Sequence, residues 1–261
     1  MDQGSDLHVG LIQTELIWEN PDSNLEMFTA KLNQLPEKTD LAVLPEMFTT
    51  GFSMHPEKLA EPPRGKTHQW MQKMASDRDM ALTGSLIIKD HHNYYNRLYV
   101  VLPDGSYKQY DKRHLFRMGE ENKHYTAGQN KILFTLKGWN ILPLICYDLR
   151  FPVWSRNRGD YDALLYVANW PEPRRHVWQA LLVARALENQ AYVVGLNRIG
   201  EDGQGLSYAG DSMVVHPKGH IISETQPHTR SEETVTLSAD DLTRFREKFP
   251  VGKDADDFVI I

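Results

Sequence analysis

Apolar residues in this chain fall into short runs of strand length, separated by stretches with helical spacing. The runs at 9–13, 41–44, 81–88, 97–102, 141–146, 163–167 and 192–196 are rich in Val, Ile, Leu and Tyr. Several are continuously apolar, as in strands covered on both faces. Three later runs, 212–215, 220–223 and 234–237, read as strands near a sheet edge. Between the runs lie helical patterns. Over 176–189, Val177, Leu181, Leu182, Ala184, Ala186 and Leu187 make a broad apolar face behind a loop carrying Pro171 and Pro173. A second helix is predicted after Pro21-Asp22-Ser23, with Leu25, Phe28, Leu32 and Leu35 on one side, and a third over 66–78. Pro103-Asp104-Gly105, Glu201-Asp202-Gly203 and Pro217-Lys218-Gly219 mark turns. Strands and helices alternate without a linker, repeat or low-complexity tract, so residues 1–261 read as one α/β domain.

The composition is that of a packed core with a solvated surface, 41% hydrophobic and 25% charged. With 29 basic and 35 acidic side chains the net charge is 29 − 35 = −6, and no basic run exceeds a pair such as Arg174-Arg175. Nucleic acid and anionic membranes are therefore not expected partners. The opening Met1-Asp2-Gln3-Gly4-Ser5-Asp6 lacks the features of a secretory leader, and no apolar run approaches the ~18 residues needed to cross a bilayer. A cytoplasmic location is expected. Cys146 is the one cysteine, which excludes an internal disulfide. Its thiol is either inert packing or a reactive group.

Three strand-like segments run into a side chain with chemistry: 41–46 ends in Glu46, 107–112 in Lys112 and 142–146 in Cys146. In open α/β folds, ligands bind outside the carboxyl ends of strands, so the three could share a pocket. Together they suffice for covalent hydrolysis of an amide. The carboxylate can take the thiol proton, and the ammonium can stabilise the oxyanion that forms when sulfur attacks the carbonyl. Taken singly, each also reads as ordinary packing or surface charge. The eleven histidines include no His-Glu-x-x-His or other ligand spacing, so neither a metal nor a cofactor is expected. Gly51-Phe52-Ser53-Met54-His55 breaks the Gly-x-Ser-x-Gly pattern of serine hydrolases at its last position.

The surroundings of the three residues resemble the nitrilase superfamily of carbon-nitrogen hydrolases. The matching segments are Leu44-Pro45-Glu46-Met47-Phe48, Tyr110-Asp111-Lys112-Arg113-His114-Leu115-Phe116 and Ile145-Cys146-Tyr147-Asp148-Leu149-Arg150-Phe151-Pro152, with further likeness over 176–190. The resemblance implies a four-layer α-β-β-α sandwich, with Glu46 as general base, Lys112 as oxyanion stabiliser and Cys146 as nucleophile. It adds the Tyr147 backbone N–H as an oxyanion donor and a second carboxylate, matching Glu121 when counted back from Gly128, with Glu120 the adjacent alternative. It also implies a homodimer, for which the helix over 176–189 is a candidate contact.

Within the superfamily the narrower likeness is to bacterial omega-amidases, carried by 47–54, 114–118 and Tyr166-Val167-Ala168-Asn169-Trp170-Pro171. That implies hydrolysis of the terminal amide of short 2-oxo dicarboxylic acid monoamides, of the 2-oxoglutaramate type, through a cysteine thioester. Arg150, Asn169, Trp170 and Phe116 are the expected substrate-binding residues, and Phe48 and Phe52 could help Phe116 exclude water. Arg117, Arg150, Arg174 and Arg198 are candidate anchors for the substrate carboxylate. The alternatives are a carbamoylase, a nitrilase or a non-catalytic ligand-binding relative.

Overall fold

The computed structural model describes residues 5–260. In chain order the elements are β1 (Leu7–Gln13), α1 (Pro21–Gln34), β2 (Leu41–Val43), α2 (Pro56–Leu59), α3 (Lys66–Arg78), β3 (Ala81–Asp90), β4 (Asn93–Val101) and β5 (Tyr107–Asp111). There follow α4 (Glu121–His124), β6 (Phe134–Leu136), β7 (Trp139–Ile145), α5 (Pro152–Ser155), β8 (Ala163–Ala168) and α6 (Arg175–Asn189). The last are β9 (Tyr192–Asn197), β10 (Ile199–Glu201), β11 (Ser207–Ala209), β12 (Met213–Val215), β13 (Ser231–Leu237) and α7 (Ala239–Lys248). A six-stranded sheet has the order β13-β1-β2-β3-β4-β5, a five-stranded sheet the order β12-β9-β8-β7-β6, and β10 and β11 form a hairpin of their own.

The period of two along the first sheet sorts its side chains into two cores. Leu7, Val9 and Leu11 of β1, with Leu41, Val43, Ala81, Leu98 and Val100, point toward the second sheet and pack with Leu142, Leu144, Leu164 and Tyr166. On the reverse face, Ile12, Ala42, Leu82, Leu86, Tyr99 and Val101 pack against Leu25, Phe28 and Leu32 of α1 and Met71 and Ala75 of α3. Trp178, Leu182 and Ala186 cover the second sheet from outside. A Cβ on Gly195 of β9 would stand 2.5 Å from the Leu182 side chain, so the missing side chain sets how closely α6 approaches. The layers are therefore helix, sheet, sheet, helix: the four-layer α/β sandwich anticipated above.

Local signals explain the helix boundaries. Asn20 caps α1 by accepting the Ser23 N–H at 3.1 Å, with Pro21 at the first helical position. Both α3 and α6 stop on a left-handed residue, Asp79 and Gln190. The expected strand over 220–223 is not formed. One isolated bridge joins Val215 to Ile221; Ile221 is exposed and Ile222 alone packs against the core from this segment.

What matters for function is direction. β1, β2 and β3 run parallel to one another, as do β7, β8 and β9. Glu46 lies just beyond β2, Cys146 immediately beyond β7 and Asn169 immediately beyond β8. Lys112 follows β5, which pairs antiparallel with β4. Its loop is pinned by Gly128, whose N–H donates to the Lys112 carbonyl at 2.9 Å. A Cβ there would fall 2.0 Å from the Asp111 carbonyl oxygen, an approach only glycine permits.

Candidate active site

Cys146 terminates β7 in a left-handed conformation, φ +42°, and opens the 3₁₀ turn Cys146–Arg150. A non-glycine residue held in that region stores strain that the surroundings must impose. Asp148 supplies much of the restraint. Its Oδ2 accepts the Ile145 N–H at 3.0 Å and the Tyr110 hydroxyl at 2.7 Å, while Oδ1 accepts the His114 N–H at 3.0 Å and lies 2.7 Å from His114 Nδ1. One buried carboxylate thus ties the Cys146 turn to both sides of the Lys112 segment. From outside, the Arg185 guanidinium of α6 donates to the Leu149 carbonyl at 2.6 Å.

Lys112, Glu46 and Glu121 are all fully buried. Lys112 Nζ donates to Glu46 Oε1 at 2.8 Å and to the two oxygens of Glu121 at 3.0 and 2.9 Å. The Asn96 amide bridges the same carboxylates, 2.8 Å from Glu46 Oε1 and 3.2 Å from Glu121 Oε1. Glu46 Oε2 accepts the Asn169 N–H at 2.8 Å, and Glu121 Oε2 accepts the Phe116 N–H at 2.6 Å. The Asn169 side chain donates back to the Glu46 carbonyl at 2.5 Å. Counting from Gly128 left Glu120 and Glu121 open; Glu121 is the buried one, whereas Glu120 is 59% exposed and pairs with Lys123.

The charges follow from this packing. Burial alone would drive the proton off Lys112, but Glu121 and Glu46 outweigh it and hold the ammonium above the ordinary lysine range. Burial pushes the Glu121 carboxyl up, the neighbouring Glu46 adds to it, and Lys112 opposes both. The Cys146 thiol is raised well above its usual value, first by burial and then by Glu46, with Lys112 opposing. The resting sulfur therefore carries its proton.

A cavity of about 120 Å³ opens onto Cys146 and Lys112. Phe52, Phe116, Tyr147, Arg150, Asn169 and Trp170 stand on its wall, as does Arg174, and Phe52 caps the Lys112 ammonium at 5.2 Å. Three expectations fail. Phe48 packs on Phe28 and Trp70 in the outer core, off the cavity wall. Arg198 is buried off the wall, with its Nε and Nη2 donating to the Ile199 and Glu201 carbonyls. Arg117 is exposed and also off the wall. Asn96 was not legible from the sequence, because it precedes the apolar run at 97–102 and joins the strand only in the fold, and the bracing role of Asp148 likewise emerges only from its tertiary partners.

The chain matches the carbon-nitrogen hydrolase family over residues 8–247, and it belongs to that family. It is 47% identical over 254 residues to the omega-amidase YafV of Escherichia coli K12, covering 97% of this chain and 98% of the relative. It is 31% identical over 253 residues to the 2-oxoglutaramate amidase of Bacillus subtilis, covering 94% and 96%. Among solved structures, XC1258 of Xanthomonas campestris, a CN-hydrolase superfamily protein with an arsenic adduct in its active site, superposes with a TM-score of 0.96 at 42% identity, covering 98% of this chain and 99% of the other.

Replacing Asp148 with alanine strands a hydroxyl and two backbone N–H groups in the interior. Asp148→Ala is expected to lower unfolding free energy by about 3 kcal/mol, since each orphaned buried group costs roughly 1–3 kcal/mol. Urea denaturation checks this, and an unchanged midpoint would contradict the bracing role.

Proposed function

We propose that this chain is an amide-cleaving hydrolase of omega-amidase type, releasing ammonia from the terminal amide of short 2-oxo dicarboxylic acid monoamides. The observation that carries the reading is the buried ammonium of Lys112 between Glu46 and Glu121 at the foot of a cavity that Cys146 lines. Near-full-length likeness to an omega-amidase and a 2-oxoglutaramate amidase supports the choice of substrate.

In this reading Cys146 Sγ attacks the amide carbon as its proton passes to Glu46. The carbonyl oxygen becomes an oxyanion beside the Lys112 ammonium and the Tyr147 N–H, which belongs to the first turn of a 3₁₀ segment and lacks an acceptor within it. The C–N bond then breaks, Glu46 returns the proton to the departing nitrogen, and ammonia leaves a thioester. Water attacks the thioester, giving its proton to Glu46. The C–S bond breaks, the acid departs, and Glu46 reprotonates the sulfur. Glu121 and Asn96 keep Lys112 and Glu46 in register. Arg150, Asn169, Trp170 and Phe116 form the substrate wall, and the cycle draws on protein groups alone.

The whole chain acts as one catalytic domain in this reading, as a cytoplasmic homodimer joined through α6. On that helix Leu187 is exposed, whereas Val177 and Leu181 are half-buried against the core. Among the described residues no helix is long and apolar enough to cross a membrane.

Ammonia release from a 2-oxo acid monoamide, an N-carbamoyl amino acid and a simple nitrile tests the substrate class. The amide should lead in kcat/KM by ~100-fold or more, the scale on which a site built for one polar group rejects others; a leading nitrile or carbamoyl compound would overturn the reading. Glu46→Gln separates the two effects of that carboxylate. Removing its negative charge lets the thiol lose its proton more easily, so thiolate ultraviolet absorbance should titrate at lower pH. Turnover should nevertheless fall ~10²–10⁴-fold because the proton acceptor is gone. A thiol titrating at higher pH, or near-normal turnover, would contradict the role.

A further inference from the structure

The positive charges on the cavity wall are not all committed. Lys112 is held by its two carboxylates. Arg150 and Arg174 have no carboxylate against them among the described residues; each lies over an aromatic ring, Arg150 over Trp170 at 5.3 Å and Arg174 over Phe116 at 5.4 Å. The next residue in the chain shows the contrast, because Arg175 grips Asp211 through two hydrogen bonds of 2.9 and 2.7 Å. Asp202, the acidic residue on the wall, is already engaged by the Gln204 and Leu206 N–H groups and the Tyr208 hydroxyl. The wall thus offers a ligand uncompensated guanidinium charge.

We infer that Arg174 binds the remote carboxylate of the substrate and is the residue that makes the enzyme prefer anionic amides. This rests on the amide-hydrolase reading above. Arg174 is partly buried whereas Arg150 is exposed, and an ion pair gains strength as water is removed from around it. Its backbone is fixed as well. The turn Glu172–Arg174 closes with the Arg174 N–H donating to the Pro171 carbonyl at 3.0 Å, and the Trp170 indole donates to the Arg174 carbonyl at 2.9 Å. The ring beneath the guanidinium belongs to Phe116, whose N–H holds Glu121. The anchor and the Lys112 ammonium are therefore linked through two residues, Phe116 and Glu121, which fixes the span between a bound carboxylate and the scissile amide. A planar guanidinium already parked on a ring can take a carboxylate through two hydrogen bonds with little further ordering.

The test is steady-state kinetics on a 2-oxo acid monoamide and on an amide of equal length whose carboxylate is replaced by a methyl group, using wild type, Arg174→Gln, Arg174→Lys and Arg150→Gln. Arg174→Gln should raise KM for the anionic amide roughly 10- to 100-fold, the scale of a lost charge-assisted hydrogen bond. It should cost kcat/KM for the neutral amide far less than for the anionic one, and an unchanged far-ultraviolet circular dichroism spectrum reports an intact fold. Arg174→Lys should recover part of the loss, and Arg150→Gln should do less than Arg174→Gln. Equal losses on both amides, or the larger loss in Arg150→Gln, would overturn the inference while leaving the proposed reaction standing. A wild type that hydrolyses the neutral amide as well as the anionic one would overturn both.

Discussion

A lysine ammonium with no exposure to water survives here because two carboxylates face it at hydrogen-bond distance. The arrangement depends on mutual compensation. Stripped of either partner, the remaining charges would meet a desolvation cost of several kcal/mol. Asn96 donates to both carboxylates, and the Asn169 and Phe116 N–H groups fill one further acceptor site on each. This satisfaction keeps three charged groups rigid in a space closed to solvent, where each acts more strongly on its neighbours than it would in water.

The fold supplies the convergence. Parallel strands in each of two facing sheets deliver their carboxyl ends to one side of the sandwich, so Glu46 comes from one sheet and Cys146 and Asn169 from the other. Asp148 joins the halves by accepting from both the Lys112 segment and the Cys146 turn. The φ of +42° at Cys146 is the local consequence: the sulfur is presented at a sharp strand-to-helix bend, and the bend is held by hydrogen bonds around it. Burial and the facing Glu46 raise the Cys146 thiol well above its usual range.

Much of this was legible in the sequence. Continuous apolar runs marked the strands β2, β7, β8 and β9, and the spacing of Leu25, Phe28 and Leu32 marked α1, because burial on a regular lattice leaves a regular imprint. Glu46, Lys112 and Cys146 stood out as reactive groups following strands, and Asn169 and Trp170 as residues at another strand end. Elsewhere the pattern carried less. Glu120 and Glu121 are adjacent carboxylates with opposite fates, separated by a left-handed residue at Glu120 that no periodicity reveals. Arg198 and Arg174 look alike as letters, yet one is buried off the wall and donates to backbone carbonyls while the other stands over Phe116 on the cavity wall. Such distinctions arise from tertiary packing, as does the loss of the 220–223 strand.

The central claim is that sulfur, carboxylate and ammonium act as one unit to form and break a thioester at Cys146. Rapid-quench mass spectrometry of the enzyme mixed with a slowly turned-over 2-oxo acid monoamide tests it most directly. The account predicts a transient adduct on Cys146 equal to the substrate less ammonia, appearing and decaying at rates compatible with turnover. Hydrolysis that proceeds with no such adduct, or with an adduct on another residue, would contradict it.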